Sequence, residues 1–351
     1  MKNPFRILSI DGGGLRGVVP LTILQKFEAL TGQPIWKSFD LIAGTSTGGL
    51  LASAITIPKN TKNHNEGAKY SLDDLMRVYL ERGKEIFPPP SNFFGDLFKT
   101  TDGAFSPMFS DKGIHKVFTD VCGDARLAET LTHIMVSTYD LNNNVPLFFK
   151  SRAARNNDEQ NIKIYDIARA TSAGPTYLPA YELIYPNDKE DKNRLCIDGG
   201  VFINNTSLGA LAEFSKHHAQ YGYGKENEDI IYEDVFVLSI GTGSYSGRIS
   251  ADEAKNKGKL FWATRISDIM MKGVNQTTHY EMNEMMETGN YLRLSIDILE
   301  EKHSEMSRAD KETSDYLINE TNKQVLGNSD KMNKLKAWIN KSGLNTGALN
   351  V

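Results

Sequence analysis

The sequence predicts an α/β fold, with a mainly parallel central sheet flanked by helices. Three observations carry that reading. Short apolar runs alternate with longer helical patterns from residue 5 onward, the βαβα rhythm of a parallel sheet. Three of the strand-like runs stop at glycine turns: Asp11-Gly12-Gly13-Gly14, Gly44-Thr45-Ser46-Thr47-Gly48 and Asp198-Gly199-Gly200. The balance of 40% hydrophobic and 24% charged residues is that of an ordinary globular chain.

The elements follow in order. Residues 5–10 form the first strand, closed by the Asp11 turn. Residues 18–30 form a helix that tolerates Pro20 in its first turn and stops at Gly32. Residues 39–43 read as a buried strand and residues 50–57 as a buried helix, with the serine turn between them. Residues 58–69 are a polar loop. Ser71 caps the next helix, with Asp74 three residues on, and Pro88-Pro89-Pro90 ends it near residue 87. Residues 91–107 hold Phe93, Phe94, Leu97, Phe98 and Phe105 among turn residues. Such an apolar loop either folds back on the core or serves as a lid or membrane-touching loop. Residues 133–140 and 145–150 form two strands joined across Asn142-Asn143-Asn144. Further helices cover 165–173, 207–221 and most of 251–287, further strands 195–198, 234–240 and 291–296, and a charged helical stretch 307–341. No linker is long enough to force a domain cut, so residues 212–351 read as a continuation of the same compact domain, with a regulatory role as one option for them.

The bulk properties exclude several functions. A net charge of −4 over 351 residues argues against a nucleic-acid binder. Two cysteines, Cys122 and Cys196, make no disulfide framework, and both read as small buried hydrophobes in a reducing compartment. Neither C-x-x-C nor H-E-x-x-H occurs, so no zinc site is expected. No apolar run reaches the length of a membrane span and no signal-peptide pattern occurs. The expectation is a cytoplasmic protein that touches the membrane peripherally when active, with room for a homo-oligomer.

Ser46 sits at the centre of G-x-S-x-G between a strand and a helix, the pattern of a nucleophile elbow, against the blander reading of a glycine-rich βα turn. Ligands bind outside the carboxyl ends of strands in open α/β sheets, so the three glycine turns can share one crevice. Acyl transfer needs what they offer. Ser46 supplies a hydroxyl, Gly12, Gly13 and Gly14 supply unobstructed N–H groups for an oxyanion, Arg16 adds charge or braces that loop, and Asp198 supplies a base. None of His64, His115, His133, His217, His218, His279 and His303 lies in a glycine turn at a strand end. A Ser–Asp dyad is thus preferred to a histidine-based triad.

The ordered set Asp11-Gly12-Gly13-Gly14-Leu15-Arg16-Gly17, Gly44-Thr45-Ser46-Thr47-Gly48 and Asp198-Gly199-Gly200 resembles the patatin-like phospholipases. Thr171-Ser172-Ala173-Gly174-Pro175-Thr176-Tyr177 is similar to that family's segment upstream of the aspartate. The resemblance covers residues 5–211. It implies a patatin-like three-layer sandwich and an acyl hydrolase of membrane phospholipid, using Ser46 and Asp198 with the Gly12–Gly14 loop and Arg16, and neither metal nor cofactor. Size and character also resemble bacterial patatin-like effectors switched on by cyclic dinucleotides in anti-phage signalling. Arg248, Lys257, Lys259 and Arg265 are the basic candidates for such an activator.

Two other readings compete. Gly12, Gly14 and Gly17 satisfy the dinucleotide fingerprint G-x-G-x-x-G, but the acidic residue it expects at the end of the second strand is missing, since Asp40 begins that strand. A non-catalytic lipid- or nucleotide-binding module using Gly12–Gly17 is the other, and the intact Ser46 and Asp198 count against it.

Overall fold

A computed structural model describes residues 4–88, 108–185, 193–226 and 232–345. The loop of Phe93, Phe94, Leu97, Phe98 and Phe105 lies outside the described residues. The central sheet runs β5 (Tyr181–Leu183), β6 (Arg194–Asp198), β3 (His133–Asp140), β2 (Leu41–Thr45), β1 (Phe5–Ile10), β7 (Val235–Ile240) and β9 (Tyr291–Leu294), with β4 (Val145–Lys150) pairing β3, and β8 (Ser244–Tyr245) pairs β10 (Asp297–Ile298) apart from it. β3, β2, β1, β7 and β9 are mutually parallel, whereas β4 and β6 run antiparallel to β3.

The strands are apolar along their length because both faces are covered. On one face Leu8, Ile10, Ile42, Ile134, Val136 and Leu238 enter the larger core, and on the other Phe5, Ile7, Leu41, Ala43, Val235 and Val237 enter the smaller. These two layers around one sheet make the three-layer sandwich that the sequence predicts.

Local chemistry fixes the helix ends. α1 (Val18–Thr31) stops at Gly32, whose φ of 66° lets its N–H reach the Glu28 carbonyl. α2 (Thr47–Thr56) leaves directly from the serine turn. α3 (Leu72–Ile86) opens on a reciprocal capping box between Ser71 and Asp74. α4 (Asp111–Cys122), absent from the sequence reading, buries Ile114, Val117, Phe118 and Cys122 on one face. α5 (Ile164–Thr171) and α6 (Ser207–His217) follow, and the long α7 (Lys259–Met285) comes after β7. The charged last stretch resolves into α8 (Lys311–Thr321) and α9 (Ser329–Lys341), joined by a π-helical turn. α9 inserts Trp338, 2% exposed, against Phe27, Phe39 and Phe236. Among the described residues no helix is long and apolar enough to cross a membrane.

The second strand begins two residues later than the sequence suggests. One helical turn, Ile35–Ser38, is capped by Phe39, and pairing of β2 with β1 begins only at Leu41 opposite Ile7.

Candidate active site

The carboxyl ends of β1 and β2 lie side by side, with Ile10 opposite Gly44. This places the Asp11 turn next to the Ser46 turn. Ser46 itself has φ 53° and ψ −124°, a strained combination for a residue with a side chain. The flanking glycines explain how the chain turns so sharply. A Cβ on Gly44 would strike the Gly48 backbone, and one on Gly48 would strike the Ile10 carbonyl. The hydroxyl is thereby held at the start of α2, open to the cleft.

Asp198 arrives by a route the motifs do not reveal. β6 runs antiparallel to β3, and its carboxyl end would point away from the serine turn if the strand continued. It stops instead opposite Thr138, one residue past Ser137, which pairs with Thr45. Gly199 lies where a Cβ would meet the Ser137 backbone. Two ties lock this approach: Thr45 Oγ1 donates to the Ile203 carbonyl at 2.5 Å, and Thr138 Oγ1 donates to the Ile197 carbonyl at 2.7 Å. The segment before Asp198 braces both turns. The Ser46 N–H donates to Thr171 Oγ1 at 2.8 Å, and the Asp198 N–H donates to the Ala173 carbonyl at 2.9 Å.

The structure therefore places the Ser46 hydroxyl near the Asp198 carboxyl, close enough to favour its charged form. The carboxyl also accepts the Gly200 N–H at 2.7 Å. Asp198 keeps an edge open to the cleft while protein packs closely around its carboxyl. Burial pushes its pKa up to about 6, against the pull of the Ser46 hydroxyl and the Gly200 amide, both of which favour the carboxylate. Among the described residues no hydrogen bond made by a histidine reaches either residue; His115, His218, His279 and His303 pair with Tyr165, Tyr223, Tyr291 and Thr313.

The first glycine turn is held from the far end of the chain. Asp11, 1% exposed, receives both terminal nitrogens of Arg293 on β9, at 3.2 and 2.5 Å. Thr242 Oγ1 donates to the Gly12 carbonyl at 2.6 Å, and the Leu15 N–H donates to the Met306 carbonyl at 2.8 Å. Arg16 is 8% exposed and donates to the Gly13 and Ser304 carbonyls. It braces the loop rather than projecting into solvent. Gly17 allows Tyr79 to pack against the turn, where a Cβ would strike its ring. The N–H groups of Gly13 and Gly14 make no hydrogen bond to another described residue, while that of Gly12 reaches the Asn204 carbonyl at 3.4 Å.

Two cavities flank this loop. One, of about 850 Å³ and partly open to solvent, starts at Ser46 and is lined by Leu50, Ala54, Leu75, Val78 and Phe118 from α2, α3 and α4. The other, about 1030 Å³ with its open mouth included, is more polar than the first and includes Arg16, Asn204, Thr242, Arg248, Asp268 and Lys272.

The profile of the family described as "Patatin-like phospholipase" matches residues 8–211, more than half of the chain. "Patatin-like protein 1" of Arabidopsis thaliana is 32% identical over 335 residues, covering 89% of this chain and 79% of that protein. The chain belongs to the patatin-like phospholipase family. Patatin-like phospholipases are lipid acyl hydrolases, and this chain is an enzyme of that class. "Patatin-like protein 3" of Arabidopsis thaliana is 31% identical, covering 84% of this chain and 74% of that one. "Patatin-2-Kuras 3" of Solanum tuberosum is 28% identical, covering 89% and 81%. The crystal structure of VipD from Legionella pneumophila superposes at a TM-score of 0.37 with 11% identity, covering 92% of this chain and 67% of that one.

Sequence reasoning missed Arg293, Thr242 and Asn204 in this patatin-like cleft. The signal for Arg293 was present: a lone cation inside the apolar alternation of β9 needs a buried anion, and Asp11 is one. Removing Arg293 would leave that carboxylate buried and unpaired. Arg293→Ala is expected to destabilise the fold by about 3–5 kcal/mol, read by chemical denaturation, and Asp11→Asn in the same chain should restore much of the loss. A loss below about 1 kcal/mol would mean that water replaces the guanidinium.

Proposed function

We propose that the enzyme cleaves acyl esters of membrane phospholipids through a Ser46–Asp198 dyad, with the Gly12-Gly13-Gly14 turn as its oxyanion cradle and Arg16 as the brace of that turn. The observation that carries the proposal is a serine on a strained strand-to-helix turn whose hydroxyl lies close enough to the Asp198 carboxyl to favour its charged form. Ser46 Oγ attacks the ester carbonyl and its proton passes to the Asp198 carboxylate. The tetrahedral oxyanion faces the Gly13 and Gly14 amides. The carbon–oxygen bond to the leaving alcohol then breaks, and that oxygen takes the proton from Asp198. Water attacks the acyl-enzyme in the second half, gives a proton to Asp198, and releases fatty acid as Ser46 Oγ recovers it. The apolar cavity beginning at Ser46 suits the acyl chain, and the polar cleft across the loop suits a charged headgroup.

A fluorophosphonate ester tests this directly. Mass spectrometry is expected to find the adduct on Ser46, and its formation rate should rise with pH through about 6, as Asp198 loses the proton that prevents it from acting as a base. Labelling at another residue, or a rate flat across that range, would refute the dyad.

Peripheral membrane contact and a cytoplasmic setting belong to the same proposal. Activation by a cyclic dinucleotide in anti-phage defence is a separable part of it. Its support is the polar cleft, where Arg248 and Lys272 stand beside Arg16. Lys257 is exposed, and the side chains of Lys259 and Arg265 lie outside the described residues. Equal lipase rates with and without a panel of cyclic dinucleotides would remove this part and leave the hydrolase reading intact.

A further inference from the structure

We propose that Asn204 positions the water that attacks the acyl-enzyme, an inference that rests on the Ser46–Asp198 reading. Asn204 follows the Asp198 turn and is 2% exposed. Its backbone carbonyl accepts the Gly12 N–H, and its Nδ2 donates to Asn275 Oδ1 at 3.2 Å. Its Oδ1 is buried and has no hydrogen-bond partner among the described residues.

The surroundings of that oxygen give it a task. A Cβ built on Gly12 would lie 2.5 Å from Asn204 Oδ1 and 3.2 Å from Ser46 Cβ. One built on Gly200 would lie 3.5 Å from Asn204 Oδ1 and 3.2 Å from Asp198 Oδ1. The orphaned acceptor therefore sits between the two glycine turns, bordered by the nucleophile on one side and the base on the other. The absence of side chains on Gly12 and Gly200 keeps that space clear. A buried acceptor without a protein donor is a burden on a fold, and a water or a reacting group can supply the missing donor.

The donor available at this point is the hydrolytic water. It has two O–H bonds and Asp198 takes only one proton. As the water oxygen bonds to the acyl carbon, that proton passes to the Asp198 carboxylate. The second O–H remains intact and points to Asn204 Oδ1, which fixes the direction of attack. When the C–Oγ bond breaks, Ser46 Oγ recovers the proton from Asp198, and the second hydrogen leaves on the fatty acid. The amide has no part in the first half-reaction, where serine carries one proton and Asp198 takes it.

This asymmetry makes the role measurable. With an activated p-nitrophenyl ester the leaving group departs readily, so deacylation is expected to limit turnover. Asn204→Ala, checked for folding by its melting temperature, is expected to slow decay of the Ser46 acyl adduct about 10- to 100-fold. The adduct should accumulate in intact-mass spectra, kcat and KM should fall together, and kcat/KM should stay near wild type. A fall in kcat at constant KM, with no added adduct, would overturn the inference, because the amide would then be serving acylation. Asn275→Ala breaks the amide–amide bond and leaves the acceptor in place, so adduct decay is expected to stay close to wild type. If it reproduces the Asn204→Ala effect, packing explains the result and the water role falls. Turnover without any Ser46 adduct in wild type or variant would refute the serine mechanism itself. An adduct that decays equally fast in both would refute only the role of Asn204.

Discussion

Ser46→Ala is expected to lower fatty-acid release from phospholipid vesicles by about 10⁶-fold while leaving the melting temperature near that of the wild type. Both halves follow from the turn. Alanine has the same steric demands as serine at φ 53° and ψ −124°, so the strain of about 1–3 kcal/mol persists and the fold neither gains nor loses it. Only the oxygen disappears, and with it the atom that would carry the acyl group. Ser46→Gly separates the two quantities further, because glycine relieves the strain. It should be equally inactive and more stable. The Ser46 N–H donates to Thr171 Oγ1 from the backbone and survives either substitution, so the strand-to-helix turn keeps its brace. Mass spectrometry of the released lipid and a thermal scan on the same preparations decide the matter. Ser46→Ala turnover within about tenfold of wild type would mean that another group does the chemistry.

What the sequence revealed and what it hid divide along a physical line. The Ser46 and Asp198 turns were legible because their glycines answer to contacts made within a few residues or with a neighbouring strand. Gly44 and Gly48 meet each other, and Gly48 meets the end of β1. The Ser71–Asp74 cap and the Gly32 stop were legible for the same reason. Pairings that cross the chain left weaker traces. The ties from Arg293 to Asp11 and from Thr242 to the Gly12 carbonyl span 282 and 230 residues. They show that the segment beyond Leu211, which carries no motif, holds the first glycine turn in place. The antiparallel course of β6 was equally hidden, since strand direction is set by neighbours rather than by the residues of the strand. α4 is a different kind of omission. Ile114, Val117, Phe118 and Cys122 have helical spacing, and Gly113 interrupts the pattern only because it packs against the Glu85 carbonyl, where a side chain has no room.

Asp198→Asn should cost about 10⁴-fold in turnover and yet make the protein more stable at neutral pH. Asparagine can still accept the Gly200 N–H through its amide oxygen, so the geometry of the turn is kept, but it takes no proton from Ser46. The stability gain follows from linkage. The folded-state pKa of Asp198 is about 6, above the ordinary 3.8, and burial is the largest cause. Between those values the native state binds more protons than the unfolded chain, so stability falls as pH rises through that window. At pH 7 the wild type holds an ionised carboxylate where its surroundings favour a neutral one, and asparagine removes that burden. The difference in melting temperature between variant and wild type should therefore be small near pH 4, grow as pH approaches 6 to 7, and then level off. A difference independent of pH would mean that desolvation of the carboxylate is not its source. Backbone strain at Ser46 and an unfavourable charge at Asp198 thus fall at neighbouring positions in one cleft. That is the expected mark of a site retained for its chemistry at the expense of stability.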